Sequence, residues 1–430
     1  MAVLIVSIFV LGYLAIAFEH STKINKAAPA LITGVLCWTV YVVFTPDKVL
    51  VEHQLAESLS EYSGILFFLL GAMTIVEIID AHNGFEIITK RITTTSKKKL
   101  LWIISGLTFF LSPVLDNLTT TIVMVSLLHK LMDEGEERFY FVGMIVIAAN
   151  AGGAWSPIGD VTTTMLWMGG QITAGNIILK LLLPSLICVL VPLILLSMKI
   201  KGTISRQQGS STLSASAPVQ VSQRHQSIVF LSGIIILICV PVFKTLTHLP
   251  PYMGVLIGLG IMWIITEIIG GNEENSDRYQ LSPAYALRKI DTPSILFFLG
   301  ILLSIGVLQA TGILASAARW LADTVGNENI IVISIGLLSA IVDNVPLVAA
   351  TQGMYSLEQY PTDNYFWEFI AYCAGTGGSA LIIGSAAGVA AMGMSKMNFF
   401  WYLKRITWLA LAGYFAGAAV YILQEKLFHF

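Results

Sequence analysis

Long apolar stretches recur from one end of this sequence to the other. A helix needs about 20 mainly apolar residues to cross the hydrocarbon core of a bilayer. Ten stretches meet this requirement, at 1–18, 27–44, 62–82, 139–168, 176–198, 228–246, 252–270, 294–311, 366–395 and 402–424. Only 12% of the 430 residues are charged, whereas about 25% of a typical soluble domain is charged. The sequence therefore predicts an all-α polytopic membrane protein in a lipid bilayer.

Positive charges are unevenly distributed over the segments that connect these stretches. Two further segments, 99–131 and 329–357, are each long enough for a pair of short helices, which we interpret as re-entrant hairpins. If the N-terminus lies outside, 19 of the 24 Lys and Arg residues then fall on the cytoplasmic side. Cytoplasmic loops of membrane proteins carry such an excess. We therefore expect both termini outside. The net charge of −2, without a basic stripe, gives no support for a nucleic-acid partner.

Three sequence blocks recur in the same order in the two halves of the chain. They are ILFFLLG at 65–71 and ILFFLGI at 295–301, Asp116-Asn117 and Asp343-Asn344, and NAGGAWSPIGD at 150–160 and GTGGSALIIGS at 375–385. A polar linker rich in Ser and Gln, 202–226, separates a first repeat, 1–201, from a second, 227–430. Each repeat has five spans and one hairpin. Because five crossings bring the chain to the opposite side of the membrane, the second repeat starts there and is inverted relative to the first.

Inverted repeats with matching interrupted helices are typical of secondary transporters, whose binding site lies near the bilayer midplane. Unwound backbone at that depth is tolerated only where it is buried in protein or lines a hydrated cavity. In ANAGGAWSPIGDVTTT, residues 149–164, glycines and a proline divide a span into two half-helices. Asn150 ends the first half, Asp160 begins the second, and Thr162 and Thr163 follow. Ser385 stands at the position equivalent to Asp160, so the two breaks differ in charge.

The hairpin aspartates have two interpretations. Asp116 follows Ser112-Pro113 and is suited to cap the second arm of its hairpin, and Asp343 precedes Pro346 in the same way. If they served only as caps, their placement would be energetically unfavourable, because a carboxylate at membrane depth costs about 2.5–3.5 kcal/mol on insertion scales. Two such pairs at symmetric positions therefore favour a shared binding site.

The side chains at these positions are carboxylates, carboxamides and hydroxyls. Hard oxygen donors of this kind suit a small hard cation and neither a soft metal nor an anion. Burial disfavours the charged form of a carboxylate, so one aspartate can hold either a proton or a cation. The four cysteines have neither a metal-binding nor a disulfide spacing, and no nucleophile–base pattern supports an enzyme. We expect no cofactor beyond the transported ions.

The motifs SPVLDNLTTTIVM and NAGGAWSPIGDVTTTM, with the second Asp-Asn hairpin, resemble the NhaD-type sodium/proton antiporters of the ion transporter superfamily. The resemblance implies exchange of Na⁺ or Li⁺ for H⁺, pH homeostasis, an elevator mechanism, a bacterial inner-membrane location with periplasmic termini, and a homodimer formed through a scaffold domain. It implies ion and proton binding at Asp116, Asn117, Asn150, Asp160, Thr162, Thr163, Asp343 and Asn344, with Na⁺ at Asp116, Asn117, Asn150 and Asp160. Secondary candidates are Ser112, Thr119, Ser339, Ser385 and Glu77, the last an acidic residue within a span.

Two alternatives remain open. An anion carrier of the same superfamily, for a dicarboxylate or a similar substrate, would use helix N-termini and hydroxyls at the hairpin tips. Asp116, Asp160 and Asp343 would repel that substrate unless cations neutralised them. A membrane scaffold or enzyme that does not transport would leave the polar breaks at matching positions unexplained.

Overall fold

The computed structural model describes residues 1–17, 19–89, 92–204, 221–269 and 279–428. Most of the predicted linker, residues 205–220, lies outside these residues. In the first half the helices are α1 Ala2–Ala17, α2 Glu19–Thr22, α3 Ala27–Phe44, α4 Lys48–Ala81, α5 Glu86–Thr89, α6 Lys97–Leu115, α7 Asn117–Leu131, α8 Glu136–Ala154, α9 Val161–Met168 and α10 Ala174–Lys199.

In the second half the helices are α11 Gln223–Thr247, α12 Pro251–Ile269, α13 Pro283–Lys289, α14 Thr292–Ala310, α15 Ile313–Val325, α16 Glu328–Leu338, α17 Asn344–Met354, α18 Tyr365–Gly377, α19 Ala386–Ser395, α20 Phe399–Arg405 and α21 Thr407–Phe428. The only β contact within the described residues is an isolated bridge between Ser96 and Thr203. The protein is all-helical there.

Eight helices of the described residues are long and apolar enough to cross a membrane, namely α3, α4, α6, α10, α11, α12, α14 and α21. Their outward faces carry large apolar side chains, such as Leu179 and Ile268, which are 78% and 75% exposed. Apolar exposure on this scale is unfavourable in water and favourable in lipid. The prediction of an all-α polytopic membrane protein is confirmed.

Three helices differ from the predicted spans. Helix α4 begins at Lys48, well before the predicted start at 62, because a polar segment capped by Asp47 continues the same helix. The predicted span 402–424 is divided between α20 and α21 at Ile406. Helix α15 is amphipathic and was not predicted, and it meets α16 at a bend of 118°.

Each half contains a helical hairpin and a broken helix. The first hairpin, α6 and α7, turns at Asp116, whose φ of 72° ends α6. The second, α16 and α17, turns between Leu338 and Asn344. The broken helices are α8–α9 and α18–α19, and a Cβ atom at Gly153 or Gly378 would clash with the carbonyl oxygen of the glycine six residues later. Glycine therefore permits the close chain crossing in both breaks.

The helices pack into two groups. We call α1, α3, α4, α11, α12 and α14 the long-helix group, since these pack mainly on one another. We call α6 to α10, α16 to α19 and α21 the hairpin group, which contains both hairpins and both broken helices. The groups meet where α14 packs against α17, α4 against α9 and α11 against α6, so the interrupted helices lie beside a framework of continuous ones.

Candidate functional site

Four helix ends from both halves meet inside the hairpin group. The start of α7 supplies Asn117, the broken helix α8–α9 supplies Asn150 and Asp160, and the start of α17 supplies Asn344. All four side chains are buried, with Asn150 completely inaccessible and Asp160 only 2% exposed. Because the residues come from separate segments, the site exists only when both hairpins dock on the broken helix.

Asp160 lies at the centre of this cluster. Its Oδ1 accepts hydrogen bonds from the backbone nitrogen and the hydroxyl of Thr162, at 2.9 and 2.8 Å. Its Oδ2 accepts from Asn117 Nδ2 at 2.6 Å, and Asn344 Nδ2 lies 3.4 Å from both oxygens. In the part of the chain that the structure describes, no Lys, Arg or His forms an ion pair with Asp160. Among the described residues, the carboxylate is therefore surrounded by neutral donors without a compensating cation.

Asn150 joins Asp160's neighbours to the second broken helix. Its Oδ1 accepts from Asn117 Nδ2 at 3.2 Å, and its Nδ2 donates to the hydroxyls of Ser379 and Ser385, each at 2.9 Å. Ser385 is the secondary candidate equivalent to Asp160. Ser379 was missed by the sequence analysis, although its position among the glycines of the second break was an available signal.

Two threonines complete the start of α9. The hydroxyl of Thr163 donates to the carbonyl oxygen of Asp160 at 2.9 Å, as does that of Thr164 at 3.0 Å. Thr162 and Thr163 are both fully buried. Their hydroxyl oxygens keep lone pairs free to accept or to ligate a cation.

Asp116 has a different arrangement. Its Oδ1 accepts from the backbone nitrogen of Thr119 at 2.8 Å and its Oδ2 from the hydroxyl of Thr119 at 2.9 Å. Asp116 therefore caps α7, and Thr119 contacts it and not Asp160. The backbone at Asp116, with φ 72° and ψ 162°, lies in a region that is unfavourable for residues other than glycine.

Asp343 also turns away from the cluster. Its Oδ2 forms an ion pair with Lys26 Nζ at 2.9 Å, and its Oδ1 lies 3.4 Å from the backbone nitrogen of Val345. The structure thus places Asp343 and Asn344, which are adjacent in sequence, in separate environments. Lys26 was not a sequence-predicted site residue, and its place next to a span end gave no signal of this contact.

The remaining secondary candidates lie outside the direct contacts of Asp160. The hydroxyl of Ser112 donates to the carbonyl of Ala149 at 2.5 Å, and that of Ser339 donates to the carbonyl of Ala374 at 3.2 Å. These equivalent bonds fasten each hairpin to the broken helix of its own half. Glu77 lies in the long-helix group, with Oε1 3.9 Å from Lys289 Nζ, and takes no part in the cluster.

Two cavities follow the boundary between the helix groups. One, of ≈ 440 Å³, lies between α4, α9, α12, α14 and α17 and is lined by Glu61, Tyr252 and Gln352 among others. The other, of ≈ 210 Å³, lies beside Lys26 and is lined by residues of both groups. Asp160 lines neither of these two cavities and is itself only 2% exposed. Among the described residues, no three His, Cys, Asp or Glu side chains form a metal-binding group.

Comparison with known proteins is consistent over nearly the whole chain. Residues 13–367 match the family described as Citrate transporter, CitMHS. The chain is 50% identical over 423 residues to sodium/proton antiporter 1 of Arabidopsis thaliana, covering 98% of this chain and 72% of that protein. It is 30% identical to the Na⁺/H⁺ antiporter NhaD of Alkalimonas amylolytica, covering 99% of this chain and 91% of that one.

The fold is also found in a solved structure. The YdaH transporter of Alcanivorax borkumensis, described as having an unusual topology, superimposes with a TM-score of 0.58 at 11% identity, over 89% of this chain and 90% of that one. At this identity the likeness concerns the fold alone. The family match and the sequence relatives show that the chain belongs to the citrate transporter family CitMHS and to the sodium/proton antiporters of the NhaD type.

Proposed function

We propose that this protein exchanges Na⁺ or Li⁺ for H⁺ across a membrane, and that Asp160 binds the cation and the proton in turn. The observation that carries the proposal is the burial of Asp160 among neutral donors, without a partner cation among the described residues. A carboxylate in such a site is stabilised by gaining either a proton or a small cation. Because both use the same oxygens, they compete, and competition is sufficient for exchange.

The neighbours of Asp160 supply further oxygen ligands. Asn117 and Asn344 direct their amide nitrogens at Asp160, and rotation of either amide by half a turn presents its oxygen instead. Asn150 and the Thr162 and Thr163 hydroxyls add further oxygens. We assign the cation to this mixed set, which suits the preference of small hard cations for oxygen.

Asp116 and Asp343 are assigned to proton and cation traffic at the edges of the site. Both lie at hairpin tips, and both are paired locally, Asp116 with Thr119 and Asp343 with Lys26. Both are only partly buried in this arrangement, and Asp343 lines a small cavity together with Lys26. Asp160 is therefore the principal ion-binding carboxylate, with Asp116 and Asp343 as additional groups.

The separation into two helix groups supports an elevator mechanism. In this mechanism, the hairpin group moves relative to the long-helix group and carries the bound ion across the membrane. The cavities along the boundary lie between the surfaces that would slide past each other. The repeats 1–201 and 227–430, joined by the linker 202–226, enter the membrane with opposite orientation. We further assign a homodimer formed through the long-helix group and a bacterial inner-membrane location with both termini periplasmic, as the family resemblance and the charge distribution indicate.

The test uses purified protein in proteoliposomes with an imposed pH gradient and a fluorescent pH reporter. We expect Na⁺ and Li⁺ to dissipate the gradient, and K⁺, succinate and citrate to leave it unchanged. Asp160→Asn should abolish the response. Asp363→Asn is the matched control, because Asp363 also accepts from a threonine nitrogen and hydroxyl, those of Thr173, but lies near the surface. Gradient-driven uptake of labelled succinate or citrate without a cation response would refute the proposal.

A further inference from the structure

A lysine at the start of α3 contacts the tip of the second hairpin. The ammonium of Lys26 lies 2.9 Å from Asp343 Oδ2, with side chains only 22% and 15% exposed. The same ammonium lies 4.3 Å from the ring centre of Phe297 on α14, a cation–π contact. Since α3 and α14 belong to the long-helix group and Asp343 to the hairpin group, this ion pair crosses the boundary between the groups.

The surroundings hold Lys26 at this boundary. Its backbone nitrogen donates to Glu19 Oε1 at 3.1 Å, which anchors the start of α3. The cavity of ≈ 210 Å³ beside it is lined by Glu19 and Asp291 on one side and by Leu118 and Ala390 of the hairpin group on the other. The Lys26–Asp343 pair itself borders a neighbouring cavity of ≈ 70 Å³, so the two groups are separated by open space here and connected by the ion pair.

A second buried ion pair provides a comparison. Lys180 Nζ lies 3.1 Å from Glu425 Oε2, with side chains 12% and 28% exposed. Its helices, α10 and α21, pack on each other within the hairpin group. Relative motion of the two groups would leave this pair intact, whereas it would separate Lys26 from Asp343.

We propose that Lys26 is a positioning residue that latches the second hairpin to the long-helix group in the arrangement seen here. Its ammonium acts as a tethered counter-cation for Asp343, whereas Asp160 has no ion-pair partner among the described residues. The latch must open whenever the hairpin group moves. The inference rests on the proposed movement of the two groups, and it adds a residue that determines which arrangement is populated.

The experiment measures the accessibility of the cavity beside Lys26. Ala390→Cys places a thiol in its wall, in a Cys239→Ser background because Cys239 is the exposed cysteine among the described residues. The rate of labelling by a water-soluble maleimide then reports how often the cavity is open. We expect Lys26→Gln to slow labelling at least about fivefold, the lower end of typical coupling between sites. Lys26→Arg, which keeps the charge, and Lys180→Gln, the matched control, should label at the parent rate.

A charge exchange tests the pair itself. Lys26→Asp alone should slow labelling, and its combination with Asp343→Lys should restore the rate by reforming the pair with reversed polarity. If Lys26→Gln does not yield folded protein, the charge-exchanged variant decides: parent-like labelling supports the latch, and slow labelling overturns it. Unchanged labelling in Lys26→Gln, or equal slowing in Lys180→Gln, also overturns it. The labelling rate can be measured whether or not the protein transports ions, so it tests the latch alone. The proposed function is tested separately, and it would be refuted if the unmodified protein did not exchange Na⁺ for H⁺.

Discussion

Asn117 donates its side-chain amide to Asp160 across 2.6 Å, which joins the tip of the first hairpin to the start of α9. The same nitrogen lies 3.2 Å from Asn150 Oδ1, at the end of α8. One amide thus connects both sides of the break in the helix to the hairpin that packs against it. Because Asp160 lacks a charged partner among the described residues, an ion bound at its carboxylate, as proposed, would compete with this contact.

Removal of the Asp160 charge should eliminate exchange without unfolding the protein. Asparagine keeps the size and one acceptor oxygen for Thr162, but it can bind neither a proton nor a cation with the same strength. We expect Asp160→Asn to give the signal of liposomes without protein, with a melting temperature in detergent equal to or above that of the parent. Exchange at the parent rate would remove Asp160 from the mechanism.

Asn150 should affect the affinity for Na⁺. Asn150→Ala removes one hydrogen bond each from Asn117, Ser379 and Ser385, although Asn117 keeps its bond to Asp160 and Ser385 keeps the backbone nitrogen of Gly388. A buried group left unsatisfied costs about 1–3 kcal/mol. We expect a higher Na⁺ concentration for half-maximal exchange and a lower melting temperature. Ser379→Ala removes one of these contacts and should give a smaller change in the same direction. An Asn150→Ala variant with parent affinity would contradict the assignment.

Two substitutions of Asp116 distinguish its role as a helix cap from the role of its charge. Asp116→Asn can still accept from Thr119 but has no charge, whereas Asp116→Ala loses the cap, at about 0.5–2 kcal/mol. We expect the Asn variant to melt like the parent and the Ala variant to melt at a lower temperature. If Asp116 takes part in ion traffic as proposed, both exchange poorly. An Asn variant with full activity would show that Asp116 is a cap alone.

The two breaks should respond alike to added volume. Gly153→Ala and Gly378→Ala each place a methyl group against the backbone on the far side of a break, and overpacking of this kind costs about 1–3 kcal/mol. Gly175→Ala is the control, because a Cβ atom there meets nothing within 4 Å. We expect both break variants to melt at lower temperature and to exchange slowly, with the control unchanged. A Gly378→Ala variant with the melting temperature and exchange rate of the parent would indicate that only the first break is tightly packed.

Much of the architecture could be predicted from local patterns. Bilayer-length apolar stretches indicate membrane helices because lipid leaves few alternatives for the backbone. Gly152, Gly153 and Pro157 mark the position of a break because glycine destabilises a helix and proline lacks a backbone N–H, and both effects act locally. Helix α15 was missed since its amphipathic sequence is too polar for a span, and the polar start of α4 was missed for the same reason.

Side-chain partners depend on contacts between distant segments. The symmetric Asp-Asn pairs favour a shared binding site that includes Asp116 and Asp343, yet one aspartate caps α7 and the other binds Lys26, 317 residues away in sequence. The sequence by itself determined the lipid surroundings, most of the membrane helices, the breaks and the polar residues at them, because these follow from local hydrophobicity and backbone preference. Only the tertiary structure decided that Asp343 has a charged partner and that Asp160 has none among the described residues, since that depends on which helix ends the packing brings together.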